Sequence, residues 1–254
     1  MKTATLFTLA ALLTLFGAVH CTNKAIDRKS DEVWLEPVTG MEFVWIPGGE
    51  LQMGLSEPGK ESQIPRVQVS GFWMAKTEVT QKQWIAVMGS NPSAFKTSTD
   101  DHPVEQVSWD DAQEYIRKLS VLSGNVFRLP TEVEWEFAAA GGEALQGWSR
   151  PAGNDSGELS MYLYRHTGGP MVRQPSMVCT PVIGGRKNIF GLCDMSGNVW
   201  EWCQDSYPGG SPGTYRVLRG GNWGQVGYAR HDSHGRNFPN TRINFGFRLV
   251  RSQV

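Results

Sequence analysis

Apolar residues recur every three or four positions in three segments of the chain, which is the spacing of an amphipathic helix. Thr80 with Gln83, and Thr131 with Glu134, have the spacing of a capping box, in which two side chains satisfy backbone amides at the start of a helix. Ser108 supplies the cap of the remaining segment. The predicted inner face of this second helix is Trp109, Ala112, Ile116, Leu119 and Leu122. The pattern therefore predicts three short helices, which end at Gly89, Gly124 and the Gly141–Gly142 pair.

Alternation of apolar and polar residues, the pattern of a strand with one solvated face, predicts the strands. They are expected at 41–49, 51–54, 66–74, 216–219 and 245–250, with 51–54 as the hairpin partner of 41–49. The segment 143–187 is rich in Gly, Pro and Ser and is interpreted as a surface insertion with one short strand near 161–164. Few regular elements are spread over a long chain, so the predicted fold class is α+β, as a single domain rich in irregular loops.

The stretch 220–244, between the last two predicted strands, has neither helical nor strand periodicity. A loop of this length inside a compact domain is uncommon unless it is functional or disordered. Its mixture of residue types and the strand that follows it argue against disorder. It is therefore predicted to form a binding surface held on a rigid scaffold.

The first residues have the features of an export signal. Lys2 precedes an apolar run at 6–19, which is too short to span a bilayer comfortably, and Cys21 stands at the expected cleavage position. Residues 1–21 are therefore interpreted as a lipoprotein-like signal peptide with lipidation at Cys21, 22–32 as a polar tether, and 33–254 as the folded domain. Because His20 stands where a small residue is usual, simple secretion is the alternative.

Charge and composition narrow the function classes. A net charge of −1 and a pI of about 6.5 provide no basic surface, so no nucleic-acid partner is expected. The 29 glycines, 14 prolines and 10 tryptophans are typical of short elements joined by turns around an aromatic core. Cys179, Cys193 and Cys203 follow the signal, and because their number is odd, at least one thiol stays free or pairs with another chain. Cys193 and Cys203, among apolar neighbours, are expected to be buried thiols.

Seven segments of the chain together resemble one superfamily, the formylglycine-generating-enzyme type (sulfatase-modifying factor type) of C-type lectin fold. They are GMEFVWIPGGELQMG, FWMAKTEVTQKQW, PVEQVSWDDAQEY, FRLPTEVEWEFAAAGG, NIFGLCDMSGNVWEW, RVLRGGNW and GFRLVR, and they cover nearly all of 41–251. The resemblance implies a single domain with antiparallel strands and two main helices around a loop-dominated site. The superfamily contains enzymes and binding proteins, so the fold alone does not decide the function.

The resemblance implies that the formylglycine-generating enzymes of this superfamily bind copper through two cysteines, which follow shortly after the RGG-aromatic motif. In this chain Arg219-Gly220-Gly221-Asn222-Trp223 is followed by Gly224–Ser233, which contains no cysteine. Because soft thiolate ligands select Cu(I), that activity is not expected and no cofactor is required. The alternative is a metal-dependent oxidoreductase or maturation enzyme of the same superfamily that uses His231, His234 and a carboxylate.

The closing region RVLRGGNW…ARHDSHGRNFPNTRINFGFRLV resembles the variable region of proteins diversified by a retroelement, which places a variable region at about 216–251. The resemblance implies that selected positions are rewritten while the positions between them stay fixed. The ligand-binding positions are then expected at Val226, Tyr228, His231, Asp232, His234, Gly235, Asn237, Phe238, Thr241, Ile243 and Asn244. The fixed scaffold of the site is expected to be Trp223, Arg230, Arg236, Pro239, Arg242 and Gly246–Arg248. The implied function is a protein displayed at the outer membrane or cell surface through a lipid anchor, where it binds an external ligand, expected to be a macromolecule.

Some of these positions have a simpler alternative. Tyr228, His231, Phe238 and Ile243 could be packing residues of an irregular loop rather than ligand contacts. Aromatic side chains on an exposed surface supply much contact area at low entropic cost, which favours the binding interpretation. The EPN and QPD tripeptides by which calcium-dependent lectins hold sugars do not occur, so carbohydrate binding in that mode is not expected.

Asn198 and Glu201 could supply oxygen ligands for a structural calcium ion, which the family resemblance implies around this motif. The alternative is that Asn198 caps a turn and Glu201 pairs with an arginine such as Arg219 or Arg248. The acidic residues in the first turns of the helices, interpreted as structural or solvent-facing, are Asp110, Asp111, Glu132, Glu134 and Glu136.

Overall fold

The three predicted helices form where their caps place them. In the structure, a computed structural model that describes residues 32–52, 66–96, 101–141, 187–207, 215–222 and 234–252, they are α1 (Gln81–Met88), α2 (Trp109–Ser123) and α3 (Glu132–Ala139). The caps Thr80, Ser108 and Thr131 are extended, and each side-chain oxygen accepts the amide three residues on. All three have full capping boxes, and Asp111 completes the one at Ser108. The predicted starts are therefore confirmed.

Two of the helices end at the predicted glycines, whereas α3 ends at Ala139 and is capped by Ala140 rather than by a glycine. Gly89 and Gly124 close α1 and α2 with φ values of 78° and 68°, a left-handed conformation that glycine adopts without strain. For α2 the predicted inner face is wrong at Leu122, which is 58% exposed, whereas Tyr115 is fully buried. Val121 is exposed as well, so the last turn of α2 extends past the core.

The described strands are β1 (Val33–Leu35), β2 (Glu42–Ile46), β3 (Gly49–Gln52), β4 (Arg66–Val69), β5 (Phe72–Ala75), β6 (Phe127–Arg128), β7 (Trp200–Ser206), β8 (Arg216–Arg219), β9 (His234–Asn237), β10 (Phe245–Gly246) and β11 (Val250–Arg251). They form a five-stranded sheet in the order β1-β2-β5-β11-β6, a four-stranded sheet in the order β10-β7-β8-β9 and the ribbon β3-β4. The pairing is antiparallel except between β10 and β7. The chain is therefore an α+β protein, as predicted.

Two predicted strands are each divided between sheets. The strand expected at 66–74 is broken into β4 and β5, and β3 pairs with β4 rather than with β2, so the predicted hairpin is wrong. The backbones cross closely at the break, because a Cβ on Gly48 would lie 2.6 Å from the carbonyl oxygen of Val69. The strand expected at 245–250 is likewise divided into β10 and β11, and the predicted wet face is wrong, because Arg248 is fully buried.

The buried side chains form two hydrophobic clusters. One includes Phe43, Tyr115 and Phe247 and lies against α1 and α2, and the other surrounds Trp135 and Phe137 of α3. Alternate residues of β7 and β8 point into both clusters: Trp202 and Leu218 into the first, Cys203 and Val217 into the second. The four-stranded sheet is thus fixed from both faces, and β8 and β9 extend it toward the predicted binding surface.

The cysteines divide into two kinds. Cys193 is disulfide-bonded, so its prediction as a buried thiol is wrong. Cys203 is a free, fully buried thiol, as predicted, and burial raises its pKa well above the usual value. Cys21, Cys179 and the predicted signal lie outside the described residues. Within the described part of the chain, no helix has the length and apolar character required to cross a membrane.

Candidate ligand-binding surface

Strands β8 and β9 carry the predicted variable region. They pair antiparallel with Arg216 opposite Asn237 and Leu218 opposite Gly235, and β9 is the outermost described strand of its sheet. The chain between them includes predicted ligand contacts and scaffold residues that lie outside the described residues: Val226, Tyr228, His231, Asp232, Trp223 and Arg230. His234 is described in its backbone only. The geometry of the site therefore comes from β9 and from the C-terminal loop, residues 237–244.

The C-terminal loop is attached to the start of α2 through its backbone. The amides of Trp109 and Asp110 donate to the carbonyl oxygen of Pro239, at 2.8 and 3.4 Å, and the amide of Gln106 donates to that of Ile243 at 2.7 Å. The first amides of a helix have no partner within the helix, so the Pro239 carbonyl supplies one. These contacts involve the main chain of the loop and do not depend on its side chains at Ile243 and its neighbours.

One side chain of the loop completes the attachment. Arg242 donates from Nε and Nη2 to the two carboxylate oxygens of Asp111, at 2.7 and 2.8 Å. Burial alone would raise the pKa of Asp111, but the hydrogen bonds from Arg242 and from Ser108 outweigh it and hold that pKa below its usual value. Pro239 and Arg242, both predicted scaffold residues, therefore hold the loop on the helix.

Within the loop, two predicted ligand contacts are engaged in the turn itself. The side-chain oxygen of Asn237 accepts from the amide of Phe238 at 2.9 Å and from the Thr241 hydroxyl at 2.8 Å. The amide of Thr241 also donates to the carbonyl oxygen of Phe238 at 3.0 Å, which closes a turn. In this structure Asn237 and Thr241 shape the loop.

Two other predicted contacts point outward. Phe238 is 47% exposed and Ile243 is 44% exposed, although the backbone of Ile243 is bonded to the scaffold. The Phe238 ring rests on that of Tyr215, with centroids 4.6 Å apart. Asn244 is half-buried. The arrangement places an aromatic and an aliphatic side chain on the surface, with their backbone fixed beneath them.

Gly235 does not have the geometry of a ligand contact. A Cβ on this residue would lie 3.3 Å from the ring of Trp200, which is nearly buried, and 3.5 Å from the Cβ of Leu218. Residues on a strand alternate between its faces, and Gly235 is on the face that packs inward with Leu218. The close approach of Trp200 leaves little room for a side chain at this position, and the role of Gly235 in ligand binding stays a prediction.

The opposite face of β9 carries a group of residues that we call the aromatic–arginine stack: Tyr207, Tyr215, Arg236 and Phe238. The guanidinium carbon of Arg236 lies over the ring of Tyr207 at 4.6 Å and over that of Tyr215 at 5.1 Å. The amide of Tyr207 donates to the carbonyl oxygen of Tyr215, which holds the two rings together. Sequence reasoning missed both tyrosines. Tyr215 directly precedes β8 and lies two residues before the buried Val217, so the two side chains are expected on the same face of the strand. This spacing could have placed Tyr215 near Arg236.

Behind this surface, Glu201 is held in a buried ion pair. Nη2 and Nε of Arg248 donate to its two oxygens at 2.6 and 2.7 Å, Trp135 donates to one of them at 2.7 Å, and Arg248 and Glu201 are both fully buried. Burial raises the pKa of the neighbouring Glu78 well above its usual value, and the Asp194 carboxylate raises it further. Arg248 thus faces several carboxylates at once.

These contacts bear on the expected calcium site. Both oxygens of Glu201 accept hydrogen bonds from the Arg248 guanidinium. This arrangement fits the predicted alternative, an ion pair with an arginine, better than it fits a calcium ligand. Asn198 is buried with a left-handed φ of 60°, a conformation that asparagine adopts in turns. Among the described residues no group of three or more His, Cys, Asp or Glu side chains could hold a metal ion. Calcium at Asn198 and Glu201 stays a prediction.

A second buried ion pair corrects the interpretation of two helix acids. Glu136, expected to be a dipole partner or solvent-facing, is buried and accepts from Arg219 at 2.6 Å, and Glu132 lies 3.6 Å from the same arginine. Burial raises the pKa of Glu132. Glu134 belongs to the α3 capping box and also pairs with Arg128 at 2.6 Å. These acids join α3 to β8 and β6 and form no open catalytic group.

The sheets, the helix pair and the loop-built surface define a protein of the formylglycine-generating-enzyme type, as the sequence resemblance implied. The chain belongs to the sulfatase-modifying factor enzyme 1-like domain family, which matches residues 30–253. It is similar to Treponema denticola variable protein 1, with a TM-score of 0.69 and 28% identity over 87% of this chain and 99% of that chain.

Two curated relatives show the functional range of the family. The chaperone protein LppX of Paenibacillus barcinonensis is 32% identical over 72% of this chain and 78% of that protein. The formylglycine-generating enzyme of Streptomyces coelicolor is 35% identical, but only over 59% of this chain and 52% of the enzyme. The family also includes proteins named as inactive formylglycine-generating enzymes, such as that of Mus musculus. Family membership therefore leaves the activity open.

Proposed function

We propose that this protein is a displayed ligand-binding protein whose binding site is the C-terminal surface formed by β9, the C-terminal loop and the chain that precedes them. The ligand is an external macromolecule, and retroelement-directed mutation changes the residues that contact it. One observation carries the proposal. The loop is fixed by the carbonyl groups of Pro239 and Ile243 and by Arg242, whereas the side chains of Phe238 and Ile243 project into solvent.

The physical logic is that of variable loops on a rigid scaffold. A backbone carbonyl is present whatever the side chain is, so the contacts to Gln106 and Trp109 survive a substitution at the exposed positions. Side chains that are about half exposed contribute little to the core, but they supply contact area to a partner. A surface of this kind can change its specificity without refolding.

The similarity to Treponema denticola variable protein 1 supports the proposal, because that relative is named as a variable protein and matches over almost its whole length. The enzymatic alternative draws support from the similarity to the formylglycine-generating enzyme. Against it stands the absence of cysteine from Gly224–Ser233, where the resemblance would place the copper ligands. Stoichiometric copper or iron in the purified protein that is lost in the His231→Ala and His234→Ala variants would favour the enzymatic alternative.

Export and lipidation belong to the same proposal. The apolar run at 6–19 and Cys21 favour a lipid anchor, and 22–32 would separate the domain from the membrane. A single acyl chain gives only reversible membrane binding, so stable anchoring would require more than one acyl chain on Cys21 or a second membrane contact.

The test is to sequence the gene across many isolates and sub-cultures. We expect changes at codons 238 and 243, and at the positions upstream of β9, with codons 236, 239 and 242 unchanged. The matched controls are Val121 and Leu122 of α2, which are 74% and 58% exposed but lie outside the surface. Equal variation at the control codons would indicate ordinary drift, and an invariant C-terminal stretch would remove the argument for display.

A further inference from the structure

Arg236 has no carboxylate partner among the described residues, although it lies on the exposed face of β9. Its contacts are the rings of Tyr207 and Tyr215, at 4.6 and 5.1 Å from the guanidinium carbon. By contrast, Arg242 in the same surface has both ends of its guanidinium edge bonded to Asp111. The charge of Arg242 is therefore compensated by Asp111, whereas no described carboxylate compensates the charge of Arg236.

The neighbouring strands offer Arg236 no compensation. Asp205 on β7 directs its carboxylate to the amide of Glu132 at 2.7 Å. Arg216 on β8 is itself cationic and donates to the carbonyl oxygen of Gln204 and the Ser206 hydroxyl. Arg216 and Arg236 also lie on opposite faces of the sheet, because they occupy alternate registers, so their charges do not form one cluster.

Stacking on two rings prepares Arg236 for a particular ligand group. The two rings lie 4.6 and 5.1 Å from the guanidinium carbon, and none of the guanidinium N–H groups has a carboxylate partner among the described residues. A planar guanidinium with free edge donors matches the two oxygens of a carboxylate, and a restricted side chain loses less entropy when it binds. Phosphate sites use clusters of arginines, whereas the described residues of this face include one guanidinium, which lies against the rings of Tyr207 and Tyr215.

We propose that Arg236 receives a carboxylate of the ligand, from an aspartate or glutamate side chain of a polypeptide, as the constant contact of an otherwise variable site. The inference rests on the proposed function, since it assigns a ligand class to the same surface. Phe238 and the predicted variable positions beside it set specificity around that contact. All variants of the surface would then share a preference for acidic polypeptide ligands.

The experiment follows the full chain by NMR while it is titrated with the α-N-methylamide of N-acetylglutamate, whose only carboxylate is in the side chain, with its neutral analogue, the α-N-methylamide of N-acetylglutamine, and with inorganic phosphate. The readouts are the Arg236 Nε–H signal and the backbone amides of 236–238. We expect saturable shifts with the glutamate methylamide and none with the glutamine methylamide. Arg236→Gln should weaken binding about tenfold, the usual effect of losing a charged hydrogen bond, and Arg236→Lys by a smaller factor.

Arg117 is the matched control, because it is exposed and its guanidinium is already bonded to Glu114 at 2.7 and 2.8 Å. Equal shifts at Arg117 and Arg236 would mean general ionic screening and would overturn the proposal. So would equal responses to the charged and neutral probes, tighter binding of phosphate, or unchanged binding in Arg236→Gln. The outcome is separate from that of the sequencing test: an invariant gene with a responsive Arg236 rejects display alone, and a diversified gene with an unresponsive Arg236 rejects the carboxylate contact alone.

Discussion

The exposed residues of the C-terminal loop should be replaceable at a small cost in stability. The test is the double substitution Phe238→Asn with Ile243→Asn. Complete burial of such a side chain stabilises a fold by about 1.5–3 kcal/mol. Because the two residues are 47% and 44% exposed, roughly half of that is at stake, about 1 kcal/mol each and about 2 kcal/mol together. The contact of Phe238 with Tyr215 is included in this range.

The matched comparison is Phe247→Ala, because Phe247 is fully buried and only a few residues away in sequence. Removal of this ring should cost about 3–5 kcal/mol, since it leaves a cavity in the cluster that contains Trp84 and Tyr115. Urea unfolding followed by tryptophan fluorescence measures both values, with the disulfide of Cys193 kept oxidised. The slope of the transition should be unchanged in the double variant, because the same surface is exposed on unfolding.

The result that would refute this reasoning is a loss in the double variant equal to that of Phe247→Ala. The side chains, rather than the carbonyl groups of Pro239 and Ile243, would then hold the loop in place. In that case the packing alternative for Phe238 and Ile243 would be correct, and the surface could not tolerate diversification at these positions.

Three further predictions follow from single contacts. Arg248→Met should lower the free energy of unfolding by about 3–5 kcal/mol, because buried carboxylates lose their cation. Arg66→Met, at an ion pair whose arginine is 69% exposed, should lower it by less than about 1 kcal/mol. Equal losses in urea titrations of the two variants would contradict the role of burial. The folded-state pKa of Asp111 is low because the hydrogen bonds from Arg242 outweigh burial, so its contribution is present above the unfolded pKa and is lost as pH falls through the folded one. The stability difference between the wild type and Asp111→Asn should therefore shrink below about pH 4, and a constant difference down to about pH 2 would be inconsistent with this assignment. Burial raises the pKa of Cys203, so iodoacetamide at about pH 8 should label this thiol only after unfolding, and rapid labelling of the native chain would show that it is accessible.

Helix boundaries could be predicted from the sequence because the forces that set them are local. The Thr80 and Thr131 capping boxes join residues three positions apart, and Gly89 and Gly124 end their helices through their own backbone conformation. None of these contacts depends on a distant part of the chain. The resemblance to a family supplied the fold, which the local patterns alone did not provide.

Strand pairing could not be predicted in the same way, because the partner of a strand is chosen by distant residues. The alternation at 245–250 is real, but Phe245 and Val250 pair in different sheets. Arg248 between them is fully buried, where it donates to Glu201 and to the carbonyl oxygen of Cys193. An alternating pattern predicts which side chains lie on the same face of a strand. Whether that face is exposed to solvent depends on the other segments that pack against it.

The sequence by itself determined the starts of the helices, the position of the aperiodic stretch 220–244 and the residue types that it contains. Only the tertiary structure decided what each residue does. Arg242 bonds to Asp111, which is 131 positions away. Gly235 faces Trp200, and the guanidinium of Arg236 lies over the rings of two tyrosines. The physical reason is distance along the chain: caps and turns are satisfied by near neighbours, whereas burial, ion pairing and stacking depend on which remote segments the fold brings together.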